Sequence, residues 1–322
     1  MRQLVKTQTV RQIRPIPDAD AIEVASVGGW DVVVRKGEFE EGEEVLYFEI
    51  DSFLPATVEA FAFLSEKSGR TVISPEGKDV YGHVLRTIRL RGQLSQGLIL
   101  KKDAVSVEDL AQVFKWEPPL PTGYGAAIGR FPSFIQKTDA ERVQNVTPEF
   151  LASLEPLFWL ATEKIDGTSS TWYMDPDKGL RAFGRNWELS LEESGMFAAI
   201  AKKYQLAEKL LPGEWIQGEI YGPGVQKNPL RVPELQLAVF NWKSRSPLDL
   251  GLPEPPDFPS LNVPTTIEEA LAQVDGLKSL VNPDKQAEGI VWWDVRNVPH
   301  PELGHRACFK VLNNFYLLKQ KD

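Results

Sequence analysis

Short runs rich in Val, Ile and Tyr, broken by Gly, Pro and Asp, fill the first third of the chain. That pattern predicts strands over 4–13, 22–27, 30–35, 44–50, 84–90 and 97–101. Val27-Gly28-Gly29-Trp30 reads as a tight hairpin, and Pro15, Pro17, Asp18 and Asp20 as a turn-rich loop. Helices are expected over 57–64 and 107–114. Many short strands with one or two helices between them suit a small closed barrel, with an OB-like fold as the first choice. Residues 117–125, E-P-P-L-P-T-G-Y-G, then form a Pro/Gly-rich linker. The reading is α+β with two domains, 1–118 and 119–322.

Beyond the linker, Thr147-Pro148-Glu149 carries a helix N-cap followed by Pro at the first helical position. Leu157-Phe158-Trp159-Leu160 leads into A-T-E-K-I-D-G-T-S-S (161–170), so a buried strand ends at Lys164 and a D-G hairpin turn follows. Asp175–Gly179 is a second turn. It leads to a strand ending A-F-G-R-N-W (182–187), and a helix is expected over 195–211. Three further apolar stretches, 214–222, 235–242 and 287–293, carry Glu219, Phe240 and Glu288 at strand interiors or edges. Lys310 interrupts the apolar run A-C-F-K-V-L.

These polar residues carry the candidate chemistry. Glutamate is depleted in strands and costly to bury unpaired, so Glu219 and Glu288 ask for a metal, a ribose or a lysine. Lys164 at a strand end is a candidate nucleophile. Removing the proton of a free lysine at pH 7 costs about 4–5 kcal/mol, which burial, a nearby cation or a metal can offset. Asp166 is placed to hold a hard cation through oxygen, and Gly167 to let backbone approach a phosphate or sugar. A bare K-x-D-G arises by chance about once in a dozen chains of this size, so the lysine stretch alone is also consistent with a surface turn. Its succession with R-N, G-E, F, E-G and F-K is far less accidental. In the first domain, L-R-T-I-R-L-R-G (85–92) is the main basic signal. Period two puts Arg89 and Arg91 on one strand face, with Arg86 and Lys101 nearby as further phosphate contacts; the competing reading is a solvated outer strand.

Composition narrows the class. The 322 residues are 42% hydrophobic and 25% charged, as in a globular protein of ordinary make-up. A net charge of −9 argues against nonspecific coating of nucleic acid but leaves room for a local basic groove. The single cysteine, Cys308, excludes an internal disulfide and fits a cytoplasmic, reducing compartment. No run approaches a membrane span and the N-terminus has no signal-peptide core, so no membrane partner is expected. His83, His300 and His305 are not spaced as a metal cluster and read as surface residues.

The motifs together resemble the covalent nucleotidyltransferase superfamily of ATP-dependent ligases and capping enzymes. Lys164-Ile165-Asp166-Gly167, Gly218-Glu219, Phe240, Glu288-Gly289 and Lys310 fall in that family's order. The stretches R-L-R-G-Q-L-S-Q-G-L, F-P-S-F-I-Q-K-T-D-A-E-R-V-Q-N, F-G-R-N-W-E-L, I-Q-G-E-I-Y-G-P-G and C-F-K-V-L-N-N are similar to the RNA ligases with an N-terminal OB domain, sometimes counted as the fifth RNA ligase family. The resemblance implies an OB-like barrel followed by a mixed α/β nucleotidyltransferase domain, ATP-grasp-like and built on antiparallel sheets. It implies Lys164 as the adenylylated lysine. It implies nucleotide contacts from Glu163, Ile165, Asp166, Gly167, Arg185, Asn186, Glu219, Phe240, Glu288 and Lys310: ribose on Glu219 and Arg185, adenine on Phe240, α-phosphate on Lys310. Asp166, Glu219 and Glu288 would serve Mg2+ or Mn2+. The implied partner is a nicked RNA duplex or RNA/DNA hybrid, acted on by a monomer. One position departs from the family. Where many ligases have a second lysine after Lys310, this chain has Leu312, so Arg185, Lys227 or a second metal would have to share the phosphate charge.

Two rival readings stand beside this one. DNA ligases and capping enzymes place an OB domain after the last motif. Here only twelve residues follow Lys310 and the OB-like domain comes first. A non-catalytic OB-type nucleic-acid-binding module with a degenerate nucleotide site would lack charged site residues, of which only the position of Leu312 is missing.

Overall fold

The computed structural model describes residues 3–192, 195–296 and 306–319; His300 and His305 lie outside them. The chain divides into two compact units, one running to Pro119 and taking in the C-terminal residues from Leu317, the other Leu120–Tyr316.

In the N-terminal unit, five strands form one sheet in the order Leu98–Lys101, Glu44–Phe48, Val5–Pro15, Ile22–Val27, Trp30–Arg35. Val27 pairs with Trp30 across Gly28-Gly29, and Gly28 takes φ +55, the hairpin geometry that this pair predicts. Val10, Ala25, Val27, Trp30, Val32, Val45, Tyr47 and Ile99 fill the sheet's concave side. This is the expected OB-like half-barrel. A second sheet, in the order Phe114–Lys115, Ser52–Pro55, Asp79–Val84, Arg70–Ile73, went unread in the sequence. The expected 84–90 strand is broken at Leu85-Arg86, and Thr87–Leu90 instead forms a hairpin with Gln93–Gln96. Arg91 and Gly92 are its two turn residues, with φ +47 and +81. Arg91 therefore sits at a hairpin tip and does not share a strand face with Arg89.

The C-terminal unit carries two sheets, each with its own core. One has six strands in the order Ala127–Arg130, Trp187–Leu189, Gly179–Phe183, Thr168–Asp175, Trp215–Tyr221, Gln236–Lys243. It packs on the helix Met196–Lys203 through Trp172, Phe197, Ile200 and Ile216. The other has four strands in the order Glu141–Arg142, Cys308–Leu312, Gly289–Asp294, Trp159–Glu163. It packs on the helix Ile267–Val274 through Phe150, Ala270, Ile290, Trp292 and Phe309. Every pairing in the unit is antiparallel except that of Glu141–Arg142 with Cys308–Leu312. Thr147 caps the short helix Pro148–Ala152 by accepting from the Phe150 N–H at 3.1 Å, as its sequence predicts. The helix expected over 195–211 breaks at Gln205, which adopts φ +54 and starts a separate turn, Leu206–Lys209. Among the described residues no helix is long and apolar enough to cross a membrane.

Candidate active site

The lysine stretch joins the two sheets of the C-terminal unit. Trp159–Glu163 pairs with Gly289–Asp294, whereas Thr168–Asp175 pairs with Trp215–Tyr221 and Gly179–Phe183. Lys164–Gly167 is thus a crossover and not the hairpin turn that D-G suggests; Gly167 has no positive φ. Its lack of a Cβ serves packing: one placed there would overlap the Ile220 carbonyl oxygen and come within 2.9 Å of Glu219 Cγ. The residue needs to be small because the neighbouring strand lies against it. Gly289, next to Glu288, is constrained in the same way by the Val311 carbonyl.

This crossover delivers Lys164 to a cluster of carboxylates. The backbone N–H of Lys164 extends the ladder by donating to Gly289 O at 2.9 Å. Its ammonium donates to Glu288 Oε2 at 2.7 Å, with the two side chains 25% and 11% exposed. Asn313 N donates to Glu288 O at 2.8 Å and fixes the glutamate's backbone. Burial alone would push the Lys164 ammonium down. The charges of Glu288, Glu219 and Asp166 and the Glu288 hydrogen bond outweigh it and hold the pKa above the ordinary value. Glu219 is pushed up to about 8, first by burial, then by Glu288 and Asp166, against the pull of Lys164 and Arg185. Glu288 is raised as well, by burial and by Asp166. Burial makes it costly to ionise these neighbouring carboxyl groups together, a cost that a bound cation would relieve.

A third side of the site comes from the segment between the linker and the first helix. Asp139 accepts from Lys310 Nζ at 3.0 Å and from an Arg185 guanidinium nitrogen at 3.1 Å. Lys137 donates to Asn186 Oδ1 at 2.6 Å. Arg142, 7% exposed, pairs in register with Lys310. Burial lowers the Lys310 pKa; Asp139 opposes this, while Arg142 and Lys164 add to it. Arg185, Asn186 and Lys310 are therefore brought to one place, as expected, by residues that had no assigned role. Asp139 and Arg142 lie inside the quoted 131–145 stretch, which was the available signal. Tyr316 donates to Asp166 Oδ2 at 2.7 Å, and Asn313 Oδ1 accepts from the Tyr316 N–H at 3.2 Å; nothing in the sequence marked Tyr316.

Other expected contacts are placed differently. Glu163 is 1% exposed, and its Oε2 accepts from the N–H groups of Leu280 and Val281 at 2.7 and 3.2 Å, so it anchors a loop. Ile165 is buried against Leu230 and Ala238. Phe240 stacks on Trp293, with ring centroids 5.6 Å apart at 20°. Leu312 is 4% exposed, and Lys227 lies in the left-handed run Gln226–Asn228. In the N-terminal unit, Arg86 and Arg89 are exposed, while Lys101 is held by Glu43 at 2.8 Å. Among the described residues no three His, Cys, Asp or Glu side chains form a ready metal cage. Asp166, Glu219 and Glu288 nonetheless offer hard oxygen donors, which suit a cation that keeps most of its water.

Comparison with known proteins places the fold and the family. A family model described as an OB-fold domain matches residues 4–102, and one described as RNA ligase matches residues 157–312. Solved structures of an RNA ligase from Naegleria gruberi are similar over both units. A lysine-to-alanine variant with ATP and Mn superposes with a TM-score of 0.82 at 31% identity, covering 99% of this chain and 100% of that one. The same enzyme with PPi gives 0.80 at 32%, covering 98% of each. A glutamate-to-alanine variant with ATP and Mn gives 0.81 at 33%, covering 100% of both. No curated protein matches the chain.

Proposed function

The chain belongs to the RNA ligase family, and from that premise we propose that it is an ATP-dependent ligase sealing 3′-OH/5′-phosphate nicks through a lysyl-AMP on Lys164, with RNA supplying the 3′-OH. The observation that carries this reading is the Lys164 amine, largely shielded between two sheets, 2.7 Å from Glu288 and within electrostatic reach of Glu219, Asp166 and Lys310.

Lys164 Nζ attacks the α-phosphorus of ATP, forming a P–N bond as the bond to pyrophosphate breaks. Glu288 Oε2, 2.7 Å away, accepts the proton that Nζ loses. Lys310 and Arg185, held beside each other by Asp139, set two positive charges near the phosphates. A divalent cation held through Asp166, Glu219 and Glu288 would supply positive charge that favours the neutral amine and offsets that of the triphosphate. The AMP then passes to an RNA 5′-phosphate with cleavage of the P–N bond, and the 3′-OH displaces AMP to form the phosphodiester. Each step is an in-line displacement dependent on positioning and charge.

Incubation with α-labelled ATP and Mn2+ should leave acid-labile label on the parent and none on Lys164→Ala. Equal label on the variant removes the assignment. Nicked duplexes with RNA or DNA on either side should be sealed only where the 3′-OH strand ends in RNA; equal sealing of all-DNA nicks counts against that part.

A further inference from the structure

The second sheet of the N-terminal unit has two unlike faces. The helix Glu59–Ser68 covers one: Tyr81 donates to Ser65 O at 3.2 Å, and His83 Nδ1 is 3.0 Å from Ser68 Oγ. Register and the two-residue period put Arg70, Val72, Val80, Val84, Phe53 and Phe114 on the other. Phe53, Val72 and Val84 are buried there beneath Val80, Phe114 and Trp116. Trp116, half-buried, has the guanidinium carbons of both Arg70 and Arg86 at 5.7 Å from its ring centroid.

Both arginines are exposed, and among the described residues neither has a carboxylate partner. Some basic residues of the five-stranded sheet are paired, Arg14 with Asp31 and Lys101 with Glu43. In a chain of net charge −9, two guanidinium groups share one indole and no counter-charge. Two like charges gathered on one ring draw an anion toward them. Guanidinium groups held over an indole are positioned to offer their forks to phosphates, which fits the backbone of a nucleic-acid strand.

We infer that Arg70, Trp116 and Arg86 form an RNA-strand contact, separate from the five-stranded sheet. The inference rests on the RNA ligase reading and adds the place where RNA is gripped. It is tested on the full chain by binding of a nicked RNA duplex across a salt series. Arg70→Gln with Arg86→Gln should weaken binding about tenfold at 0.1 M salt and flatten the log–log salt slope by roughly 1.5. Trp116→Leu should weaken it about fivefold or more with the slope unchanged. Arg70→Lys with Arg86→Lys should keep the parental slope. Self-adenylylation, whose residues all lie in the other unit, should stay parental in each variant.

Parental affinity and slope in the double Gln variant would overturn the inference and leave the cluster to a protein partner. Binding lost equally in the Gln and Lys pairs would also overturn it, since charge would then not be the cause. The underlying reading fails differently, in a parent that neither takes label from ATP nor binds the nick.

Discussion

At the scale of single residues, the site is a balance of charge. Its carboxyl groups are buried close together, and Glu219 bears the cost. In the folded chain it keeps its proton up to about pH 8, against an ordinary value of 4.5. A carboxyl whose folded pKa is raised favours folding when protonated, so its stabilising effect is complete below pH 4.5 and is lost as pH rises through 8. Glu219→Gln should therefore match the parent's melting temperature near pH 4.5 and exceed it at pH 8 by on the order of 5–10 °C without nucleotide or metal. An unchanged gap across that range would show that Glu219 ionises freely. Asp139 works in the opposite sense. It is the group that keeps Lys310 charged against burial and against Arg142 and Lys164. Asp139→Asn should slow self-adenylylation about tenfold and move the alkaline limb of its pH profile to lower pH. A slower enzyme with an unmoved limb would reduce Asp139 to a packing role.

At the scale of elements, the motif residues come with neighbours whose chemistry is spacing. Glu288 and Gly289 are one example: the glutamate meets the lysine because the adjoining strand packs against a residue with no side chain. Gly289→Ala would drive its Cβ into the Val311 carbonyl and push apart the two central strands of that sheet. The expected cost is about 2–4 kcal/mol, with lysine labelling lost. Gly184→Ala is the internal control. Its Cβ would find ordinary contacts with Leu189 and Phe197, at 3.6 and 3.8 Å, and a parental melting temperature is expected. Local patterns carried much of this level. Ile22–Val27 and Trp30–Arg35 fall where their sequence puts them, and so does the Thr147 cap. What escaped was set by distant partners. Arg70–Ile73 and Ser52–Pro55 are four-residue strands whose sequences carry no clear period, and they become strands by pairing with Asp79–Val84. The D-G pair reads locally as a turn, yet the strands on either side of it belong to different sheets. Tyr316 reaches Asp166 only because Asn313 places the start of the last helix, a link no spacing announces.

At the scale of the whole molecule, the proposed function would divide the labour between the two units. Lys164, Asp166, Arg185, Glu219, Glu288, Lys310 and their supports Asp139, Asn313 and Tyr316 all fall within Leu120–Tyr316. The two sheets that present them have cores drawn entirely from that unit. The residues of the lysine site thus fall in one unit, although the helix Asn314–Lys319 that carries Tyr316 continues into residues grouped with the other. The RNA contacts expected from Arg86, Arg89 and Arg91, and those inferred for Arg70 and Trp116, all lie outside it. A fragment of residues 119–322 should take label from ATP at a rate within about threefold of the parent, since no residue proposed to touch the nucleotide is removed. It should seal a nicked duplex at least tenfold more slowly, because the later steps depend on holding the two RNA ends in line. Raising the concentration of the nicked duplex should recover part of that loss, as expected where binding and not chemistry is impaired. Sealing by the fragment at the parental rate and at low substrate would show that the second unit grips the nick by itself, and the N-terminal sheets would then need a different occupant.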